Sequence, residues 1–218
     1  MFIDSDDGRR GRAETSTGPK LYAMNYLAHL HLGGDAPPQL LGSLYGDFVK
    51  GPLSGQWPAG IEAAIVLHRR IDAFTDSHPL QARARARFPA ARRRVAGILL
   101  DLFFDHCLAR DWQRYSAQPL DRFTARVYQV LAAEQRLPGN LQRIAPRMAA
   151  QDWLGSYRDF AVLEQVIAGM SRRLSRPALL DGSLDELQRL YQPLSEDFSA
   201  FYPQLMAFVG AQHPDTPA

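Results

Sequence analysis

The stretch GILLDLFFDHCLA, residues 97–109, sets the tightest limit on what this chain can become. Ile98, Leu99, Leu100, Leu102, Phe103 and Phe104 take up most of a helix circumference, so the helix they form is buried on nearly all sides. Other helices must surround it. Embedded in that apolar surface are Asp101, Asp105 and His106. A carboxylate in such a place is costly unless it is paired, hydrogen-bonded or metal-bound. Asp101 and Asp105 lie four residues apart and project from one face. Ion pairs with arginine are the ordinary solution, and the chain has many arginines.

Elsewhere the apolar residues recur at three and four, and the alternating Val/Ile/Thr runs of strands are missing, which predicts an all-α fold. After Pro58, the series Ile61, Ala64, Ile65, His68, Ile71, Asp72, Thr75 marks a helix ending near Ser77, ahead of Pro79. Pro89 is expected to open another, reaching about Arg110. Later helices are expected over 120–136, 138–150, 156–174 and 183–212, the last with kinks at Pro193 and Pro203. With 218 residues and 46% hydrophobic content, one buried core is expected: a single-domain helical bundle over 24–212. Residues 4–20 contain no aromatic side chain and no aliphatic one larger than Ala13 and Pro19, so 1–23 reads as a disordered leader, Met24 as the start of the folded text, and 213–218 as a disordered tail. The apolar run around 95–108 is interrupted by charge and is too short for a bilayer. A lone Cys107 leaves neither an internal disulfide nor a Cys-rich zinc site, and the cytoplasm is the expected compartment.

The helix before the apolar one carries the same spacing. In LHRRIDAFTDSH, His68 and Asp72 share a face, with Asp76 a turn further on. Two apolar helices with matched imidazole and carboxylate groups, and no thiolate, form a ligand set suited to Mn²⁺, Mg²⁺, Fe²⁺ or Zn²⁺. A buried polar network is the competing reading. In LLGSLYGDFVKG, Gly46 is read as permitting a tight turn. Asp47 after it can complete a metal shell or serve as a helix N-cap, and Lys50 or Arg69 can neutralise a phosphate oxygen. His29 and His31, two apart, point to different sides of a helix, so at most one is functional. His29 is the one assigned to the site, with Asn25 as a hydrogen-bond donor nearby.

Charge narrows the partner. The net charge is +2, too small for a chain built to coat nucleic acid. Between Ser77 and Leu100, however, six arginines (Arg83, Arg85, Arg87, Arg92, Arg93, Arg94) occur with no acid. Such a run is ordinarily a solvated face. Its position between the two candidate ligand helices would attract an acidic protein, and only Phe88 interleaves for base stacking.

MNYLAHLHL, LLGSLYGDFVKG, LHRRIDAFTDSHP, GILLDLFFDHCLARDW and MAAQDWLGSY together resemble the acyl carrier protein phosphodiesterase family over about residues 24–210. The resemblance implies a fold like that of the HD-type metal phosphohydrolases and a divalent metal, typically Mn²⁺. It implies hydrolysis of the 4′-phosphopantetheine arm from holo-acyl carrier protein. Carried over by position, it points to Asp47, His68, Asp72, Asp101, Asp105 and His106, with His29 nearby. Asp47, His68, Asp72 and Asp105 are then expected to hold the metal. Asp101 is expected to orient an imidazole or water, His106 or His29 to protonate the leaving group, and Lys50 and Arg69 to stabilise charge on phosphate oxygens. The arginine run is expected to dock the carrier protein. Two departures stand out: Cys107 follows the FFDH motif where a bulky aromatic is expected, and Asp105-His106 runs opposite to the HD order. An HD-like phosphohydrolase of nucleotides or other small phosphodiesters, and a non-catalytic helical protein that binds an acidic partner, are the alternatives.

Overall fold

A computed structural model describes residues 25–172 and 174–212. The expected leader, the start at Met24 and the tail at 213–218 lie outside the described residues. Those described form helices joined by short turns, with no strand among them. In chain order these are α1 (Tyr26–Gly33), α2 (Pro37–Phe48), α3 (Ala59–Ser77), α4 (Pro79–Ala86), α5 (Ala96–Arg110), α6 (Leu120–Ala133), α7 (Leu141–Ala150), α8 (Trp153–Ser156), α9 (Val162–Ser171), α10 (Ser183–Arg189) and α11 (Tyr191–Gly210). No helix among them is long and apolar enough to cross a membrane.

The apolar helix is central, as its composition requires. Leu99, Leu100, Leu102, Phe103 and Leu108 of α5 have no solvent exposure, and α1, α4, α10 and α11 all pack against it. Helices α2 and α3 form the most intimate pair in the fold. Gly42 allows this, since a Cβ there would overlap the Ala64 side chain and the Ile61 carbonyl. Gly46, a helical turn later, has the same role. It sits inside α2 and not in a turn, and a Cβ on it would overlap the ring of His68. Asp47 is therefore a residue of the last turn of α2, which removes the N-cap reading.

Several helix boundaries differ from the sequence expectation, each for a local reason. The helix expected from Pro89 starts only at Ala96, after a single 3-10 turn over Ala90–Arg92. Arg92 there reaches the backbone carbonyls of Leu179 and Asp181. Ahead of it, α4 is an additional helix with Pro79 in its first turn, and the His78 ring accepts the Leu80 N–H as its cap. The helix expected over 156–174 is shorter: Ser156 ends α8, turns follow with the Asp159 carboxylate accepting the Ala161 N–H, and helix resumes as α9 only from Val162 to Ser171. The last segment breaks at Leu190. Pro193 then falls in the first turn of α11, where its missing N–H costs nothing, and only Pro203 lies inside the helix.

Candidate metal centre

The floor of the candidate site is built from α1, α2 and α3. Helix α3 presents His68 and Asp72 one turn apart on the face toward α2, and the space left by Gly46 admits the His68 imidazole. Its Nδ1–H donates to the Ser43 carbonyl of α2 at 2.8 Å. That bond fixes the ring and leaves the Nε2 lone pair facing acids: Asp72 Oδ2 at 3.5 Å and Asp47 Oδ1 at 3.9 Å. His29 of α1 stacks on His68 with ring centroids 3.7 Å apart and planes 15° from parallel. Its Nε2 lies 3.2 Å from Asp72 Oδ1, close enough for an ion pair. Neither nitrogen of this ring, 1% exposed, makes a hydrogen bond.

One ligand atom each from His29, His68 and Asp72 lies within 4.8 Å of the others. Two imidazoles stacked beside one carboxylate, one ring oriented by the Ser43 carbonyl and the other with no hydrogen bond on either nitrogen, bring together nitrogen and oxygen atoms that can act as ligands. A divalent cation satisfies such a set, and nitrogen–oxygen donors without thiolate fit Mn²⁺, Mg²⁺ or Fe²⁺.

Electrostatics agree with the geometry. Burial, helped by the neighbouring His68, pushes His29 down to about 4, so its ring is neutral near pH 7. Burial also works against a charge on His68, but the Asp72 contact and the fields of Asp47 and Asp72 outweigh it, and its pKa is raised. Asp72, although burial opposes its charge, is held well below the usual carboxylate range by the two histidines. It stays anionic.

Above this floor opens a cavity of about 470 Å³, lined among others by Asn25, Asp47, Lys50, Arg69, Asp72 and Asp101. Acidic and basic groups therefore share one cleft. Arg69 is held by a hydrogen bond to the Val49 carbonyl at 3.0 Å, and Lys50 Nζ lies 3.5 Å from the Gly46 carbonyl. Burial pushes the Asp101 carboxyl up to about 7, with the Asp72 charge adding to the effect. Asp76 also reaches the cavity, paired with Arg85 at 2.7 Å.

The structure separates the other sequence candidates from this cluster. Both oxygens of Asp105, which has no exposure, accept backbone N–H groups of α1: Leu27 at 2.9 Å and Ala28 at 3.0 Å. His106 faces Tyr157 and Tyr191 instead. Its Nδ1–H donates to the Tyr157 carbonyl and its Nε2 accepts the Tyr191 hydroxyl, each at 2.8 Å, and burial pushes its pKa down. It is a neutral ring within a satisfied network. His31 is likewise satisfied, between the Tyr202 hydroxyl and the Tyr115 carbonyl.

The arginine run is largely committed within the fold. Arg83 and Arg87 clamp the fully buried Asp197 of α11, Arg85 pairs with Asp76, and Arg92 bonds backbone carbonyls. Arg93 and Arg94 are exposed. Sequence reasoning missed the Ser43 carbonyl and the role of Gly46. The signal for Gly46 was its spacing of four from Gly42 on a helix that must approach another closely.

Comparison with known proteins gives one consistent answer. Residues 24–205 match the family described as acyl carrier protein phosphodiesterase. A Serratia proteamaculans protein named acyl carrier protein phosphodiesterase is 40% identical over 185 residues, 84% of this chain and 96% of that one. A protein of the same name from Yersinia pestis is 39% identical over 192 residues, 87% and 98% of the two chains. No solved structure matches. The extent of these matches shows that the chain belongs to the acyl carrier protein phosphodiesterase family.

Proposed function

We propose that this protein hydrolyses the phosphodiester linking 4′-phosphopantetheine to the serine of holo-acyl carrier protein, using a divalent cation held by His29, His68 and Asp72 with Asp47 beside them. The observation that carries the reading is the convergence of these buried donors beneath a cavity that also contains Lys50 and Arg69. The relatives' names supply the substrate. A cation bound there supplies Lewis-acid stabilisation of phosphoryl oxygens and acidifies water at the site; Mn²⁺ is the favoured ion.

The chain's own residues do the rest. The Ser43 carbonyl orients His68, and His29 offers a neutral nitrogen. Lys50 and Arg69 offset negative charge on the non-bridging oxygens. Water adds to phosphorus, the bond from phosphorus to the serine oxygen breaks, and that oxygen must receive a proton. His106 and His29 are the donors expected from the sequence. His106 is occupied elsewhere and His29 is neutral, so Asp101, a carboxyl in the cavity that holds its proton near neutral pH, takes the role. Asp105 acts through α1 and is not a ligand in this scheme.

Two imidazoles and a carboxylate from adjacent helices also support the HD-phosphohydrolase-like relationship, with a ligand order of its own. Exposed Arg93 and Arg94 are the members of the basic run available to an acidic carrier protein in the cytoplasm. Intact-mass analysis of holo-carrier protein incubated with the protein and Mn²⁺ tests the reading. Loss of the prosthetic-group mass, with release of 4′-phosphopantetheine, is expected. An unchanged mass removes the hydrolase proposal, and cleavage of small diesters alone favours the nucleotide-type alternative.

A further inference from the structure

Helix α1 has an unusual cap. Asn25 occupies its N-cap position, and asparagine is among the best residues there because its side-chain oxygen accepts the N–H of the second or third helical residue. In this helix those residues are Leu27 and Ala28. Asn25 makes no such bond. Both N–H groups donate instead to the carboxylate of Asp105, from the far side of the sequence. Asp105 thus does the work of a cap from α5.

The exchange leaves the Asn25 Oδ1 buried with no hydrogen-bond partner. Asn25 lines the same cavity as Asp47 and Asp72. It also sits one turn before His29, whose N–H donates to the Asn25 carbonyl at 3.2 Å, so the amide and the ring are carried by the same first turn of α1. An amide oxygen is a hard donor of the kind that manganese and magnesium accept.

We infer that Asp105 caps α1 in place of Asn25, and that this exchange frees the Asn25 amide oxygen to be a further oxygen donor to the cation at His29, His68 and Asp72. Asp105 is then a positioning residue: it fixes the turn that carries both Asn25 and His29. The inference rests on the divalent-metal reading above and goes beyond it in assigning Asn25 and in explaining Asp105.

The test is a Mn²⁺ titration followed by electron paramagnetic resonance, with the melting temperature of each metal-free protein measured alongside. Asn25→Ala is expected to bind Mn²⁺ about tenfold more weakly, with an unchanged melting temperature, and Asn25→Asp is expected to restore binding. An ordinary cap would give the reverse, a melting temperature lowered by about 2–4 °C with Mn²⁺ binding intact. That result overturns the inference. His68→Ala separates the two levels of the argument. If it loses the ion while Asn25→Ala does not, only the Asn25 assignment falls; if the wild-type protein binds no Mn²⁺, the metal reading falls and takes the assignment with it. For the cap, Asp105→Asn should lower the melting temperature more in the Asn25→Ala background than alone, because only an intact Asn25 can turn back onto α1. Equal drops in both backgrounds would show that no exchange of caps exists.

Discussion

His29 and His68, gathered around Asp72, differ sharply from His31 and His106, which lie among aromatic rings elsewhere. Each ring of the second pair has a hydrogen-bond partner on both nitrogens, one a backbone carbonyl and the other a tyrosine hydroxyl. At the floor, His68 is anchored on one side only, and its other nitrogen meets carboxylates; neither ring nitrogen of His29 has a hydrogen bond. Burial is common to both floor rings and to His106, so burial does not mark the site. What marks it is unsatisfied capacity. A buried polar group left without a partner destabilises the fold unless something binds to it, and that difference separates the two pairs.

The contrast breaks most visibly on catalysis. His68→Ala and Asp72→Ala should each lower the rate of carrier-protein hydrolysis by about 10³-fold, the scale of losing a charge-stabilising element of the site, while both proteins keep their helical circular dichroism. Activity within tenfold of wild type in either variant would mean that the floor is framework too.

Acid titration sharpens it next. An unfolded histidine titrates near 6.5 and folded His29 near 4, so between these values the unfolded chain binds more protons. Metal-free protein should therefore lose stability as the pH falls through that window, by roughly 3 kcal/mol at most from this residue. His29→Gln should flatten that part of a urea-unfolding series. Asp101 contributes with the opposite sign. Its folded pKa of about 7 lies above the ordinary 3.8, so the folded chain binds more protons in between, and stability from this group declines as the pH rises toward 7. Asp101→Asn should remove that decline.

Framework histidines should behave in the other way. His106→Ala breaks two buried hydrogen bonds and should cost about 2 kcal/mol of stability, measured by chemical denaturation, with turnover per folded molecule unchanged. A large loss of turnover at full folding would return His106 to the site. The smallest effect is expected at the surface: Arg93→Ala with Arg94→Ala should reduce kcat/KM for holo-carrier protein by about threefold in low salt and leave a small chromogenic diester unaffected. Equal reduction on both substrates would show that these arginines do not dock the carrier.

Much of this was readable in the chain. The face of α3 that bears His68 and Asp72 follows from apolar spacing, and the central place of α5 follows from its apolar circumference. Spacing showed that at most one of His29 and His31 serves the site, since two residues apart on a helix point to different sides, and the family resemblance pointed to His29. The roles of Asp101, Asp105 and His106 were not readable, because spacing within α5 says nothing of what each residue meets. Asp105 meets the start of α1, 77 and 78 residues away in the chain, and His106 meets Tyr157 and Tyr191. The delayed start of α5 has the same origin, since Arg92 bonds carbonyls 87 and 89 residues away. Local pattern fixes which face of a helix is polar, whereas the partner of each polar group is a tertiary fact. The arginine run shows this too, since its charge density suggested a docking surface and two of its members are tied to the buried Asp197.

The most direct measurement is anomalous diffraction at the manganese edge from crystals of the protein grown with Mn²⁺. A single strong peak bounded by the nitrogens of His29 and His68 and the carboxylate of Asp72 is the predicted result. No peak at that position, or a peak beside Asp105 or His106 instead, would contradict the account.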